Sequence, residues 1–268
     1  CDSQGLEFSV NNQLITIGYS SLANRVEKIC LPPAREGVEI LIAVQGGIAQ
    51  DLQREDVRII YLDSIGAAKS RNIILTEANG KILFFGDDDM KWVQEGVEEV
   101  VHHFSCNDNV DLVLGQSFDE NSNLRKRYFR NRKRLSRFNS AKAATYEIAI
   151  RTESFRGKEI AFDENFGAGT ANYLGDEYIF IADACSKGLS CEFIPATVAI
   201  HPLDSSGTRF GTSEDARARS LVFQKVFGAL APLARLGFVL KNPMRFKKIA
   251  LILRFVFGEF PKEKSAEE

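Results

Sequence analysis

Five short runs of apolar residues, separated by helix-like segments, constrain the fold of this 268-residue chain more than any other feature. Each run is nearly continuous, which is typical of strands buried on both faces of a sheet. The pattern therefore predicts an α/β fold with a mostly parallel sheet, and ligands bind such sheets beyond the carboxyl ends of the strands. The runs are 14–19, 38–44, 57–62, 82–85 and 110–114.

Helical patterns fill the spaces between these runs. Residues 67–79 are predicted to form a helix that Gly80 ends as a C-terminal cap. Residues 92–104 place their apolar side chains on one stripe at helical spacing. The second half predicts strands over 145–150 and 191–200, the latter with Pro195 at an edge or bulge, and a helix over 176–187.

From about residue 214 the pattern becomes helical and ends in a charged tail that we expect to fray. We find neither an internal repeat nor a low-complexity linker. The chain is therefore predicted to comprise one sheet domain over 1–212 and a helical, basic C-terminal appendage over 213–268.

Composition excludes several classes of protein. Hydrophobic residues make up 44% and charged residues 26%, which excludes disordered, collagen-like and disulfide-scaffold chains. The net charge of −2 argues against a dedicated nucleic-acid binder. Five cysteines without a CxxC pair, together with the lack of a visible signal segment, predict a cytoplasmic location. No apolar run reaches the ~20 residues of a membrane span.

Three consecutive carboxylates, Asp87, Asp88 and Asp89, directly follow the apolar run 82–85. Their mutual repulsion is unfavourable unless a cation or strong donors compensate. A solvated turn is one interpretation, because Asp is favoured in turns. The position after a buried strand favours a site for Mg²⁺ or Mn²⁺ bound to a diphosphate.

A helix N-terminus at residues 66–72 is the second candidate feature. Helix N-termini attract anions, and Lys69 and Arg71 add positive charge. The alternative is an ordinary amphipathic helix with exposed basic side chains.

Taken together, the series Gly66, 70–72 and 82–89 resembles glycosyltransferase family 2 and its "DxD" signature. The second half is similar to the same family. Its matching stretches are 162–169 (FDENFGAG), 175–177 (GDE), 201–202 (HP) and 205–207 (SSG), and the resemblance covers about residues 14–210.

The resemblance implies a Rossmann-like GT-A fold and an inverting, metal-dependent hexosyltransferase. It would move a sugar from a nucleotide-diphospho-sugar, expected to be a UDP-sugar, to a glycan or lipid-linked acceptor. The family members that it resembles build bacterial surface polysaccharides. Two alternatives stay open: a non-catalytic nucleic-acid-binding or membrane-scaffold protein, and a nucleotidyltransferase on a similar sheet.

Residue roles carried over from the family follow the motif positions. Asp89 would bind Mn²⁺ or Mg²⁺, and Asp87 would lie near the ribose and the metal with Asp88 close by. Glu177 would be the catalytic base. Asp176 remains a rival, because many members have Glu-Asp where this chain has Asp-Glu. His201 would complete the metal shell or be an ordinary histidine at a strand end.

The nucleotide pocket departs from the family pattern. Gln45 stands where many members have an Asp that contacts the base, and its amide is expected to read a uracil-like edge. The backbone of Tyr19 is expected to line the base pocket. Lys69, Arg71 and Asn72 would contact the donor.

Two basic stretches, 125–137 and 244–257, remain outside the family motifs. The first has eight Lys/Arg and no acid, whereas the second alternates basic and large apolar residues. Contact with nucleic acid, with anionic lipid headgroups or with solvent alone are the three interpretations. For a transferase that uses a lipid-linked acceptor, we expect peripheral attachment to the inner face of the plasma membrane, with no nucleic-acid partner.

Overall fold

The computed structural model describes residues 14–49, 52, 54–203, 211–246 and 248–260. Nine strands of the described chain form one sheet in the order β3-β2-β1-β4-β8-β6-β9-β5, with β7 paired to β9. The strands are β1 (Ile15–Leu22), β2 (Val38–Gln45), β3 (Val57–Leu62), β4 (Ile82–Asp87), β5 (Lys91–Trp92), β6 (Leu112–Phe118), β7 (Lys133–Arg134), β8 (Ile148–Arg151) and β9 (Cys191–Ile200).

The sheet is mixed but mostly parallel in its first half. β3, β2, β1 and β4 run parallel to one another, β8 is antiparallel to β4 and β6, and β9 is again parallel to β6. The carboxyl ends of β1, β2 and β4 therefore meet at one edge, where Leu22 pairs with Gln45 and Ser20 pairs with Asp87.

Helices cover both faces of this sheet. Alternate residues of β2 point to opposite sides: Ile40 and Ile42 join the apolar cluster that contains α2, and Leu41 joins the cluster that contains α1 and α4. This two-sided burial explains why the strands read as continuous apolar runs. The helices are α1 (Ala67–Glu77), α2 (Gln94–Cys106), α3 (Thr152–Gly157), α4 (Asp176–Ser186), α5 (Ser213–Phe227), α6 (Ala231–Lys241) and α7 (Ile249–Phe257).

The predicted α/β fold class is confirmed, with two local corrections. Gly80 does not cap α1, which ends at Glu77. A Cβ on Gly80 would lie 2.3 Å from the backbone nitrogen of Thr16, so close chain approach explains this glycine. The predicted strand 145–150 starts instead with a 3₁₀ turn over Thr145–Glu147, and only then continues as β8. Pro195 lies at a register shift between β6 and β9, as expected.

The chain after residue 212 is helical, as predicted. Ser213–Lys241 is a 29-residue helical stretch that is long and apolar enough to cross a membrane by length and composition. A short 3₁₀ turn over Gly228–Leu230 interrupts it, and the Arg235 Nη2 in α6 donates to the Ser220 carbonyl oxygen in α5 at 2.8 Å. Residues 15 apart in one straight helix would lie about 22 Å from each other. α5 and α6 are therefore packed side by side.

Candidate active site

The three consecutive aspartates occupy different environments at the end of β4. Asp88 is buried, accepts a hydrogen bond from Ser21 Oγ at 2.9 Å, and lies 2.6 Å from Nη2 of Arg25. Burial raises the pKa of Asp88 above its ordinary value despite these two partners. Asp89 is exposed, and the hydrogen bond from His201 holds its pKa below the usual range. The three carboxylates are thus separated by local partners rather than forming one solvated cluster.

His201 follows β9 directly and faces Asp89. Its Nε2 lies 3.0 Å from Asp89 Oδ1, while the ring stacks on Tyr146 with 4.4 Å between ring centroids. Arg125 Nη1 lies 2.8 Å from the other ring nitrogen. Burial, the largest single effect, lowers the pKa of His201, but the hydrogen bonds to Asp89 and the Pro202 carbonyl and the nearby charges of Asp89 and Asp87 together outweigh it, so the net pKa is raised.

Arg71 connects the end of β4 to the start of α4. This buried guanidinium lies 2.5 Å from Asp176 and 3.3 Å from Asp87, and it also lies over the ring of Phe162. Two carboxylates of the protein face its charge, and the expected contact of Arg71 with a donor anion stays a prediction. The Arg71 guanidinium therefore links the end of β4 to the start of α4, the two segments that carry the candidate site carboxylates.

Glu177 differs sharply from its neighbour Asp176. Asp176 is buried in the ion pair with Arg71, whereas Glu177 is only partly buried and accepts a hydrogen bond from Thr145 Oγ1 at 2.9 Å. Burial, reinforced by the adjacent charge of Asp176, raises the pKa of Glu177 to about 8. A carboxylate with few partners and a raised pKa has the properties of a general base.

The predicted nucleotide-reading groups are largely occupied by contacts within the protein. Gln45 is buried, its Oε1 accepts from Gly66 N at 2.6 Å, and its Nε2 donates to Ser20 and Ser70. Both ends of the amide have partners within the protein, and the expectation that it reads a base edge stays a prediction. Gln45 fastens the end of β2 to the start of α1.

The Tyr19 backbone, which we expected to line the base pocket, lies inside the sheet. Tyr19 is paired with Ile42 on one side and Gly86 on the other, and its hydroxyl accepts from Trp92 Nε1 at 2.8 Å. A central strand uses its backbone groups in the sheet ladder on both sides, and the role of Tyr19 in a base pocket stays a prediction.

The N-terminus of α1 does not present a free anion site either. Gly66 N donates to Gln45, and Ala67 N donates to the carbonyl oxygen of Ala168 at 3.0 Å. The side chain of Asn72 makes hydrogen bonds to Phe162 and Glu164. Lys69 has a partly exposed side chain and forms no ion pair within the described residues. The contacts of Lys69 and Asn72 with a donor stay predictions.

The comparisons with known proteins decide the family. The sequence profile described as Glycosyl transferase family 2 matches residues 35–166, which include the three aspartates. The chain is a family 2 glycosyltransferase. Glu177 and His201 lie outside the matched range, and their roles are argued from geometry. No curated protein sequence matches this glycosyltransferase.

Solved structures show the same GT-A fold at low sequence identity. The structure of S. aureus TarS 1-349 matches with a TM-score of 0.60 at 12% identity, covering 90% of this chain and 80% of that one. TarS 1-349 in complex with UDP-GlcNAc matches with a TM-score of 0.58 at 13% identity, over 81% of this glycosyltransferase and 69% of that chain. The match to the longer S. aureus TarS structure covers 41% of the TarS chain. These likenesses establish the fold.

The donor set at Asp89 and His201 fits a divalent cation. Their facing atoms are 3.0 Å apart in the hydrogen bond between them, and an imidazole nitrogen and a carboxylate oxygen are both donor types that Mn²⁺ accepts once the imidazole has released its proton. Within the described ranges no group of three or more His, Cys, Asp or Glu side chains could hold a metal. Two protein ligands suffice when substrate phosphates and water supply the rest. Asp87, the third predicted ligand, faces Arg71 instead.

The structure also brings in residues that the sequence analysis did not assign to the site. Arg25 pairs with Asp88 and Asp89, Thr145 holds Glu177, and Arg125 lies against His201. Arg25 lies three residues beyond β1, so its position after a predicted strand was a usable signal. Arg125 begins the basic stretch 125–137 and Thr145 begins the predicted strand 145–150, but neither pattern placed its residue at this site. The stretch 205–207, used for the family resemblance, lies outside the described residues.

Proposed function

We propose that this glycosyltransferase moves a sugar from a UDP-sugar to a hydroxyl group of a glycan or lipid-linked acceptor, with inversion at the anomeric carbon, in bacterial polysaccharide synthesis. The observation that carries the proposal is the Arg71 bridge, which holds Asp87 at the end of β4 beside Asp176 at the start of α4. The proposed metal ligand Asp89 follows Asp87 by two residues, and the proposed base Glu177 follows Asp176 directly. A single-displacement transfer requires both a metal site and a base. The complexes of TarS with UDP and with UDP-GlcNAc support a uridine donor.

Glu177 is the proposed base. It takes the proton of the acceptor hydroxyl while the acceptor oxygen attacks the anomeric carbon, and the bond from that carbon to the phosphate oxygen breaks. Its raised pKa suits this task, because a base with a pKa near 8 takes up the proton more readily than an ordinary carboxylate. Asp176 is proposed to position Arg71 and the start of α4 rather than to react.

Asp89 and His201 are the proposed ligands of Mn²⁺ or Mg²⁺. The bound ion would supply positive charge to the diphosphate leaving group. Arg25, whose side chain is 39% exposed beside Asp88, and Lys69 at the start of α1 would add further positive charge on the same edge of the sheet.

Product analysis tests this proposal. The purified chain would be incubated with a panel of UDP-sugars and with other nucleotide sugars, with and without Mn²⁺, and the released nucleotide would be separated by chromatography. Release of UDP that depends on Mn²⁺ and disappears in Glu177→Gln is expected. Release of pyrophosphate would indicate nucleotidyl transfer instead.

Failure of every donor to bind or turn over would favour a non-catalytic binding protein. Melting temperature provides the binding readout, because a ligand that binds the native state raises it. Once an acceptor is found, the anomeric configuration of the product, measured by NMR, tests inversion.

A further inference from the structure

Exposed large apolar side chains are concentrated on the C-terminal helices. Of the 17 such side chains in the described chain, eight lie in residues 230–257, which make up about a tenth of the sequence. Monomeric soluble proteins rarely expose contiguous apolar patches of such density unless the patch binds something. The eight are Leu230, Leu233, Leu236, Leu240, Met244, Ile249, Leu253 and Phe257.

Helix α6 exposes large apolar side chains and buries a charged one. Its exposed face carries Leu233, Leu236 and Leu240 at helical spacing, with Leu233 68% and Leu240 72% exposed. Its opposite face buries Arg235, which is 2% exposed. The buried Arg235 guanidinium donates hydrogen bonds to the carbonyl oxygens of Ser220 and Val256.

Helix α7 also exposes a stripe of large apolar side chains. Ile249, Leu253 and Phe257 are exposed at a spacing of four residues, while Phe255 on the other side is fully buried among aromatic rings of α5 and α6. Beside the exposed stripe lie the exposed basic residues Lys248 and Arg254.

Charge decides what kind of surface these helices fit. From 228 to 258 the sequence contains six Lys/Arg and no Asp or Glu. The exposed apolar faces are bordered mainly by positive charge, from Lys241, Lys248 and Arg254, with Glu259 as the acid that follows α7. Such a face matches the boundary between the acyl chains and the headgroups of an anionic bilayer. A second copy of the same surface would bring like charges together, which disfavours a symmetric dimer.

We propose that the exposed faces of α6 and α7 lie in the interface of an anionic lipid bilayer, parallel to its surface. The packing of α6 against α5, through Arg235 and Ser220, rules against a spanning orientation, because the 29-residue stretch is folded into two short helices. Helix α6 has 11 residues and helix α7 has 9, so neither of these two helices is long enough to cross the hydrocarbon core. The proposal concerns the location of the enzyme and is independent of the glycosyl transfer chemistry.

Vesicle co-sedimentation of the purified chain tests the proposal. The probes are vesicles of phosphatidylcholine alone and of phosphatidylcholine mixed with phosphatidylglycerol, which makes the vesicle surface negative. Binding to the anionic vesicles that weakens in high salt is expected. Lys248→Gln with Arg254→Gln should weaken it roughly 25-fold, at about fivefold for each charge.

Two further variants separate the apolar contribution from general effects. Leu233→Ser with Leu240→Ser should weaken binding at least about tenfold, because two exposed leucines would no longer enter the acyl region. The matched control is Ile48→Ser, an exposed apolar residue elsewhere on the molecule (87% exposed), which should bind like the parent. Unchanged melting temperatures establish that all variants fold.

Three outcomes would overturn the proposal. The first is no binding to anionic vesicles by the parent chain. The second is equal binding by the leucine variant and the control. The third is concentration-dependent dimerisation of the parent, measured by analytical ultracentrifugation, that the leucine variant abolishes; this would assign the surface to a second copy of the chain. None of these results bears on UDP release, so failure here leaves the proposed reaction standing.

Discussion

The guanidinium of Arg71 and the carboxylate of Asp176 form a buried ion pair with 2.5 Å between Nη1 and Oδ2, although the two residues are 105 positions apart in sequence. The pair commits Asp176 to a structural partner. Its neighbour Glu177 keeps only the hydroxyl of Thr145 as a side-chain hydrogen-bond partner in the described structure. The arrangement distinguishes two adjacent carboxylates that the family pattern left ambiguous, and each prediction below concerns a contact of this site.

Removing the carboxylate of Glu177 should stop transfer without preventing donor binding. Glu177→Gln keeps the size of the side chain and its contact with Thr145 but cannot accept the acceptor proton. A loss of about 10²–10⁴-fold in kcat is expected, with the donor dissociation constant changed little. Initial rates of UDP release and isothermal titration with donor would check both parts. Full activity in this variant would exclude Glu177 as the base.

The pH dependence of kcat/KM should report the ionisation of Glu177. The base acts when deprotonated, so activity should rise about tenfold per pH unit and level off above the pKa of about 8. A profile that is flat between pH 6 and 8 would contradict this assignment.

The contribution of Glu177 to the stability of the fold should fall with rising pH, whereas its contribution to activity rises. The folded-state pKa of Glu177 is raised above the ordinary value of 4.5, so its contribution to stability is fully present below pH 4.5 and is lost as the pH rises through 8. Thermal unfolding of Glu177→Gln should therefore show a gain over the parent at pH 9 and little difference at pH 5. The comparison uses parent and variant in identical buffers.

Breaking the pair between Arg71 and Asp176 should affect stability first. Asp176→Asn leaves a buried guanidinium with Asp87 as its remaining partner, and we expect a loss of about 3 kcal/mol in the free energy of unfolding. In the double variant Arg71→Met with Asp176→Asn the loss should be smaller than the sum of the losses in the single variants Arg71→Met and Asp176→Asn. Urea unfolding measures all three. If Asp176→Asn were as stable as the parent but inactive, Asp176 would be the base.

Metal dependence should follow Asp89 and His201 rather than Asp88. Chelation with EDTA should abolish UDP release, and Mn²⁺ should restore it. Asp89→Ala and His201→Ala should each raise the Mn²⁺ concentration for half-maximal activity at least about tenfold. Asp88→Asn is the matched control, because Asp88 is held by Ser21 and Arg25, and its effect should be on melting temperature. Undiminished activity in EDTA would contradict the metal assignment.

Gln45 should stabilise the fold without selecting the nucleotide. Gln45→Ala removes three hydrogen bonds and should cost about 3 kcal/mol at about 1 kcal/mol for each. The ratio of activities with UDP-sugar and other nucleotide sugars should stay the same. Gln94→Ala, at an exposed glutamine of α2, is the control for substitution at the surface. A changed donor ratio would restore Gln45 to the base pocket.

Local chemistry explains which predictions held. A strand buried on both faces must be apolar throughout, so the runs that became β2 and β4 were visible from a few consecutive residues. The run that became β3 is also largely apolar, although β3 lies at the edge of the sheet and its residues are partly buried or exposed. The position of Asp87–Asp89 at a strand end likewise follows from local pattern and parallel topology. The donor-binding roles of Arg71, Gln45 and Asn72 stay predictions, and the contacts that these side chains make within the protein are ones that no local pattern reveals.

The amino-acid sequence by itself determined the fold class, the sheet edge that carries the site, and the presence of acidic residues at that edge, since each depends on periodicity within one element or on the order of elements. Only the tertiary structure decided which carboxylate is free. Glu177 and Asp176 are adjacent and chemically alike, and their difference arises from Arg71 and Thr145, which reach them from distant segments. The same holds at the C-terminus, where the sequence shows basic and apolar residues together. Folding alone places Arg235 inside and the leucines of α6 outside, because burial depends on how the three helices pack.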